Sequence, residues 1–158
     1  MTDDVHQSFL ARAVAAAVDS VRQGGGPFGA LVVRGDRVVA TGVNRVTAEL
    51  DPTAHAEVVA IRRACRALSD FALRGCTLYT SCEPCPLCLS AAYWARLDAV
   101  YYAACREDAA AAGFDDARLY AELGKAPSER ELPLRRITGP EVLAPFEAWR
   151  AAVGRVEY

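Results

Sequence analysis

Apolar residues recur at helical spacing in several stretches of the chain, and each stretch predicts an amphipathic helix. The first covers residues 5–22 and ends at the helix-breaking run GGGP, positions 24–27. A second covers residues 54–68, with Thr53 as its candidate cap. Three further helices are predicted over residues 85–96, 115–123 and 140–153.

Short β-rich runs lie between these helices and predict strands. Residues 28–33 and 37–43 flank a glycine–aspartate turn, which indicates an antiparallel hairpin. Residues 76–80 and 99–103 enclose the third predicted helix within a short span, which favours two parallel strands joined by that helix. The alternation of strands and helices predicts an α/β fold.

The end of the chain has a weaker pattern. Residues 132–137 predict a short edge strand, and residues 109–113 are rich in small residues and predict a loop. No internal repeat or linker marks a second domain, so residues 1–158 are predicted to form a single domain.

Composition and charge narrow the class of protein. The chain is 53% hydrophobic and 24% charged, which is typical of a globular protein rather than a disordered or fibrous one. Its net charge of −2 provides no broad attraction to nucleic acid or to anionic membranes. The N-terminal residues lack the pattern of a signal peptide and no apolar run reaches membrane length, so we expect a cytoplasmic protein.

Three of the six cysteines crowd into the seven positions 82–88, which favours metal binding or redox chemistry over disulfides. Cys85 and Cys88 follow a predicted strand at the start of a helix, and His55 lies at the start of another. Zinc prefers thiolate and imidazole ligands, and a catalytic zinc keeps three protein ligands and one open position. His55, Cys85 and Cys88 therefore predict a catalytic zinc site with one Zn²⁺ per subunit.

Glu57 stands two residues after His55, too close to be an independent ligand of good geometry. A carboxylate there can take a proton from water at the metal and later deliver it to a leaving group. Histidine–x–glutamate followed by proline–cysteine–x–x–cysteine is also the pattern of the zinc deaminases. Glu57 is accordingly the predicted catalytic residue.

Other chemistries compete for the same cysteines. An iron–sulfur motif needs a further cysteine and proline shortly after Cys88, and the sequence has neither. A thioredoxin-type redox pair would leave His55 and Glu57 without a role. A structural zinc with Cys82 as its fourth ligand remains open.

The glycine pattern at Gly24, Gly26 and Gly29 follows a helix rather than a strand, so it does not predict a dinucleotide site. It indicates either a tight turn or a close approach to a ligand.

The motifs TAHAE (53–57) and SCEPCPLC (81–88) resemble those of the cytidine deaminase-like superfamily. The similarity is greatest to the short, zinc-dependent guanine deaminases of bacteria, and it covers almost the whole chain. The segments that carry it are GGPFGALVV (25–33), DPTAHAEVVAIR (51–62), LYTSCEPCPLCLSAAYWAR (78–96), YYAA (101–104), AAGFDDARLY (111–120), PFEAWR (145–150) and the C-terminal VEY.

The resemblance implies a three-layer α/β/α sandwich with a five-stranded mixed sheet, and a homodimer with exchanged C-terminal segments. It implies that Asn44 and Asp116 hold a purine base between apolar walls formed by Phe28 and Trp94. It also implies that the terminal Tyr158 reaches the partner's site.

The resulting hypothesis is hydrolysis of guanine to xanthine and ammonia. Two alternatives remain open at this stage. One is deamination of another base or nucleoside, such as cytosine, cytidine or adenosine in transfer RNA. The other is a non-catalytic zinc module that uses the metal only to hold a fold or bind a partner.

Overall fold

One mixed four-stranded sheet organises the first part of the chain in the computed structural model, which describes residues 2–157. The strand order across the sheet is β2-β1-β3-β4. The β1–β2 and β1–β3 pairs are antiparallel, and the β3–β4 pair is parallel. The predicted hairpin and the predicted parallel unit are therefore both confirmed. The strands are β1 (Gly29–Arg34), β2 (Arg37–Val43), β3 (Cys76–Cys82) and β4 (Ala99–Ala104).

Helices pack on both faces of this sheet. On one face, Phe9 and Ala13 of the first helix contact Leu31, Val33 and Tyr79. On the other, a larger core unites the third and fourth helices with the sheet. That core consists of Ala30, Val32, Ala56, Ala60, Ile61, Ala64, Leu73, Cys76, Leu78, Ala92 and Ala95. The helices up to position 111 are α1 (Asp3–Arg22), α2 (Val46–Glu49), α3 (Ala56–Leu68), α4 (Pro86–Trp94) and α5 (Arg106–Ala111).

Two glycines let helix backbones approach the sheet closely. A Cβ at Gly29 would lie 2.5 Å from the carbonyl oxygen of Ala13 in α1. A Cβ at Gly42 would lie 2.2 Å from the carbonyl oxygen of Ala56 in α3. Any larger residue would therefore push a helix away from the strand. At Gly42 this close approach holds the first turn of α3 against the sheet.

The described chain divides into two compact units, Met1–Asp116 and Ala117–Tyr158. The second contains α6 (Ala117–Leu123), a 3₁₀ helix (Pro127–Glu129) and α7 (Ala144–Ala151). Salt bridges join Arg118 to Glu131 and Lys125 to Glu122. None of its described residues is buried in the single chain. That the whole chain folds as one domain stays a prediction.

Two expectations about the elements are wrong. The described residues form four strands rather than five, because residues 132–137 are irregular and pair with no strand. Part of the predicted loop at 109–113 belongs to α5, which Cys105 and Asp108 cap reciprocally. Within the described range, no helix is long and apolar enough to cross a membrane.

Candidate metal centre and active site

Two helix starts carry the predicted metal ligands. His55 is the N-cap residue of α3, and Cys85 is the N-cap residue of α4. Cys88 lies in the first turn of α4, whose first residue is Pro86, a position where a missing N–H costs little. Both caps have extended backbone, so the chain turns sharply into each helix directly after a ligand.

The loop before His55 is held by side chains rather than by the expected cap. Thr53 does not cap α3; its N–H and hydroxyl instead donate to Asp51 Oδ1 at 2.8 and 2.7 Å. Arg62 of α3 reaches both residues, with Nη2 donating to Thr53 Oγ1 at 3.3 Å. The hydrogen bonds from Thr53 and the Arg62 charge lower the pKa of Asp51. The Arg45 N–H donates to the Ala54 carbonyl at 2.9 Å, which fixes the residue before His55.

The three predicted donor atoms form one tight group. His55 Nδ1 lies 3.5 Å from Cys85 Sγ and 3.4 Å from Cys88 Sγ, and the two Sγ atoms are 3.6 Å apart. Around a tetrahedral zinc, two thiolates lie about 3.8 Å apart and a thiolate and an imidazole nitrogen about 3.6 Å apart, from the usual bond lengths. The group therefore has the donor set and the spacing of a three-ligand zinc site.

The charges of this group favour a cation. Hydrogen bonds with Cys88 and with His55 lower the pKa of Cys85 to about 4 against the effect of burial. Its hydrogen bond with Cys85 and its burial raise the pKa of Cys88. The contact with Cys85 raises the pKa of His55. The three groups thus share protons within a small space, and a divalent cation bound there would take the place of those protons.

Glu57 lies beside this group in the first turn of α3 and is only 5% exposed. Its Oε2 accepts from Cys88 Sγ at 3.4 Å, and its Oε1 accepts from the Thr80 hydroxyl at 3.1 Å. Burial raises the pKa of Glu57 above that of an ordinary carboxyl group. A buried carboxyl with a raised pKa, next to a metal group, is suited to receive and return a proton.

Cys82 is not part of the three-atom group. It is buried at the end of β3, and its Sγ donates to the Cys105 carbonyl at 3.6 Å. Burial raises the pKa of Cys82 to about 11, which keeps the thiol protonated. The described geometry therefore gives three ligands, as a catalytic zinc requires, rather than the four of a structural zinc.

Phe28 and Asn44 are brought together at the edge of the sheet. The Asn44 N–H donates to the Phe28 carbonyl at 3.1 Å, and the Phe28 ring meets Phe114 edge-on with centroids 5.0 Å apart. The side chain of Asn44 packs against Gly26, where a Cβ would lie 3.1 Å from Asn44 Cγ. Gly24, with φ of +81°, forms the turn after α1, whereas Gly26 leaves room for the Asn44 side chain.

The other predicted substrate residues differ in placement. Burial and the charge of Cys85 raise the pKa of Asp116, which lies near enough to the metal group to feel its thiolate. Trp94 ends α4, is 64% exposed and lines an open pocket of about 420 Å³ with Ser90, Tyr93 and Arg96. Tyr158 lies outside the described residues.

Sequence reasoning missed Thr80, the buried hydroxyl that contacts Glu57. It stands 23 positions from Glu57 and outside both motifs. The only signal was its place on an apolar strand two residues before Cys82, where a buried polar residue needs a partner.

Comparison with known proteins defines the class. A family model described as the cytidine and deoxycytidylate deaminase zinc-binding region matches residues 3–104. Because this match covers most of the chain and includes the three candidate ligands, the chain belongs to this family of zinc-binding deaminases. The donor group of this chain fits Zn²⁺ as its cofactor.

Within this family, the chain is similar to particular enzymes. Guanine deaminase of Bacillus subtilis is 53% identical over 97% of this chain and 99% of its own length. The X-ray structure of guanine deaminase from Bacillus subtilis superposes with a TM-score of 0.95, at 52% identity, covering 100% of this chain and 99% of that chain. A transfer-RNA-specific adenosine deaminase of Aquifex aeolicus is 38% identical over 61% of this chain and 64% of its own length.

Proposed function

We propose that this chain hydrolyses guanine to xanthine and ammonia with one bound Zn²⁺. The observation that carries this proposal is a tetrahedrally spaced ligand group beside a buried carboxyl, in a chain 53% identical to a guanine deaminase over nearly its full length. His55 Nδ1, Cys85 and Cys88 would hold the metal. When bound, zinc supplies a Lewis acid that makes water a nucleophile near neutral pH.

Glu57 is the proposed proton carrier. Its Oε2 points to the metal group, so it can accept a proton from the attacking water there. After the water oxygen has bonded to the ring carbon that carries the amine, Glu57 gives the proton to the amine nitrogen, which leaves as ammonia. The raised pKa of this buried carboxyl favours holding the proton between the two transfers.

The base would be held by the residues around this centre. The side-chain amide of Asn44 can both donate to and accept from a purine edge, and the carboxylate of Asp116 can accept from ring N–H and amino groups. The Phe28 ring offers an apolar face, packed against Phe114. Trp94 and the terminal Tyr158 are proposed as further substrate contacts.

Ammonia release tests the proposal. Zinc-loaded protein is given guanine, cytosine, adenine, cytidine and guanosine at equal concentrations, with Glu57→Gln as the control that keeps the ligands. We expect guanine to be turned over well above the others, and the control to lose at least about a hundredfold, the lower range for a general acid–base. Turnover of another compound would contradict the substrate assignment, and near-normal turnover by Glu57→Gln would contradict the proton-carrier role.

Deamination of adenosine in transfer RNA is the alternative activity to test. An anticodon stem-loop containing adenosine belongs in the same assay, because part of the chain resembles an adenosine deaminase of transfer RNA. Editing of that RNA without guanine turnover would replace the present proposal.

We also propose a homodimer, supported by the apolar surface of residues 117–157. Large hydrophobic side chains there are exposed in the single chain, which costs free energy unless another surface covers them. They are Leu119, Leu123, Leu132, Leu134, Ile137, Val142, Leu143, Phe146, Trp149, Val153 and Val156. Exchange of C-terminal segments between subunits would cover these side chains. A cytoplasmic location also remains a prediction.

Mass measurement by light scattering tests the dimer, and deletion of residues 155–158 tests the role of Tyr158. We expect a mass of twice 17.0 kDa for the intact chain. The deletion should lower turnover more than it lowers the unfolding temperature. A monomer of full activity would contradict the dimer, and an unchanged truncated enzyme would remove Tyr158 from the site.

A further inference from the structure

Thr80 lies at the centre of the sheet, under the first turn of α3. It is fully buried on β3, paired with Ala30 of β1 on one side and Tyr102 of β4 on the other. Its hydroxyl donates to Glu57 Oε1 at 3.1 Å. Both groups are shielded from water. In the protein interior a hydrogen bond to a carboxylate is stronger than at the surface.

The two oxygens of Glu57 have different partners. Oε1 is held by Thr80, whereas Oε2 is 3.4 Å from Cys88 Sγ. A thiol that ligates zinc is deprotonated and has no proton to donate. The contact from Cys88 to Oε2 therefore cannot persist as a hydrogen bond in the metal-bound enzyme, while the Thr80 hydroxyl does not depend on the metal.

We propose that Thr80 is a positioning residue that holds Oε1 of Glu57 and thereby leaves Oε2 as the oxygen that carries the proton. The Thr80 hydroxyl keeps its own proton throughout. Oε2 accepts the proton from the attacking water and releases it to the departing nitrogen, so no proton is gained or lost at Thr80. This assignment rests on the proposed function of the same site.

The energetic argument favours an effect on turnover rather than on substrate binding. Without the hydroxyl, the buried carboxylate loses a side-chain donor and can rotate about its last side-chain bond, so that either oxygen can face the metal. Orientation of a catalytic group is worth much of the barrier, and small displacements are costly. Thr80 touches neither the metal ligands nor the proposed purine contacts among the hydrogen bonds of the described residues.

Thr80→Val tests the assignment, because valine has the shape of threonine and its preference for strands but lacks the hydroxyl. We expect kcat for guanine to fall about ten- to thirtyfold, which corresponds to about 1.4–2 kcal/mol of lost transition-state stabilisation. KM and the zinc content per chain should stay within twofold of the parent protein. Thr80→Ser, which keeps a hydroxyl, should recover most of the turnover.

Ser81→Ala is the matched control from the same strand. Ser81 is also a buried hydroxyl, but it accepts from the Gly29 N–H at 3.1 Å rather than contacting Glu57. It should lose stability without losing kcat. If the valine variant does not fold, Thr80→Ala removes the same hydroxyl and leaves more space.

The outcomes separate the two levels of the argument. Unchanged kcat in the folded Thr80→Val protein, loss of its zinc, or an equal fall of kcat in Ser81→Ala would overturn the positioning role while the parent enzyme still deaminates guanine. Absence of guanine turnover by the parent protein itself would overturn the proposed function and this assignment with it.

Discussion

The two histidines of the chain lie on opposite faces of the same sheet, and their surroundings differ completely. His55 meets two thiols at 3.5 and 3.4 Å on the face covered by α3 and α4. His6, on α1, has Nδ1 2.8 Å from the Tyr79 hydroxyl and stacks on the Tyr101 ring with centroids 4.1 Å apart. The same imidazole is thus a proposed metal ligand on one face and part of an aromatic cluster on the other.

Consecutive residues of β3 serve these two faces. Tyr79 turns its hydroxyl to His6, and Thr80 turns its hydroxyl to Glu57. Successive side chains of a strand point to opposite faces, so one strand supplies a partner to each polar group. The comparison teaches that polarity in this core has two uses. On the α1 face a hydrogen bond satisfies a buried phenol, and on the α3 face it holds the carboxyl that we propose as the proton carrier.

Replacement of His55 should give the largest difference between the faces. We expect His55→Ala to lose its zinc. Its kcat/KM should fall by more than about a hundredfold, because loss of a residue that only hydrogen-bonds to a metal ligand already costs up to about that factor. His6→Phe should retain one zinc per chain and normal turnover. Zinc analysis and ammonia release check both variants. Retention of zinc and activity by His55→Ala would refute the metal site.

The two close-packed glycines provide the next test. Gly42→Ala and Gly29→Ala should each destabilise the protein by about 1–3 kcal/mol, because the added carbon meets helix backbone that cannot rotate away. Only Gly42 abuts Ala56, between His55 and Glu57. A misplacement of about 1 Å near the chemistry costs on the order of a hundredfold, so kcat should fall more than about tenfold in Gly42→Ala.

Urea unfolding and steady-state kinetics on the same samples check this pair. The Gly29→Ala protein is the control, since its clash displaces α1, on the face without the metal group. Equal falls of kcat in the two variants would mean that the effect on turnover is one of general stability.

The smallest effect on turnover is expected on the aromatic face. His6→Phe keeps a ring to stack on Tyr101 but leaves the hydroxyl of fully buried Tyr79 without its imidazole partner. We expect a loss of about 1–3 kcal/mol in the free energy of unfolding, measured in urea, with kcat unchanged. The double variant with Tyr79→Phe should recover part of this loss, because both polar partners are then absent. Strictly additive losses would show that the two side chains are not coupled.

The candidate metal ligands could be picked out because their chemistry is concentrated in short motifs. Three donors of the right type at two helix starts left few alternatives, and the structure places them at the spacing of a zinc site. Thr80 could not be predicted this way, because its role arises from the pairing of β3 with its neighbours and from the approach of α3. A threonine on a strand carries no functional signal in the sequence, because its contact with a carboxyl arises only in the folded structure.

The same limit applies to the fold. The hairpin and the parallel unit could be predicted because local turns and a short crossover define them. Residues 132–137 have a strand-like pattern, but a strand also needs a neighbour to accept its hydrogen bonds, and the pattern does not supply one. The helix α5 was missed because its cap uses Cys105 with Asp108, an unusual pair for a helix start.

The adjacency of Tyr79 and Thr80 makes correct strand pairing a condition of activity. A slip of β3 by one residue against β1 would turn the phenol toward Glu57 and the threonine hydroxyl toward α1. Such a misfolded chain would retain a hydrogen-bonded sheet and yet present the wrong group to the carboxyl. The fraction of active enzyme recovered after refolding therefore depends on how often β3 pairs with β1 in the register that places Thr80 opposite Ala30.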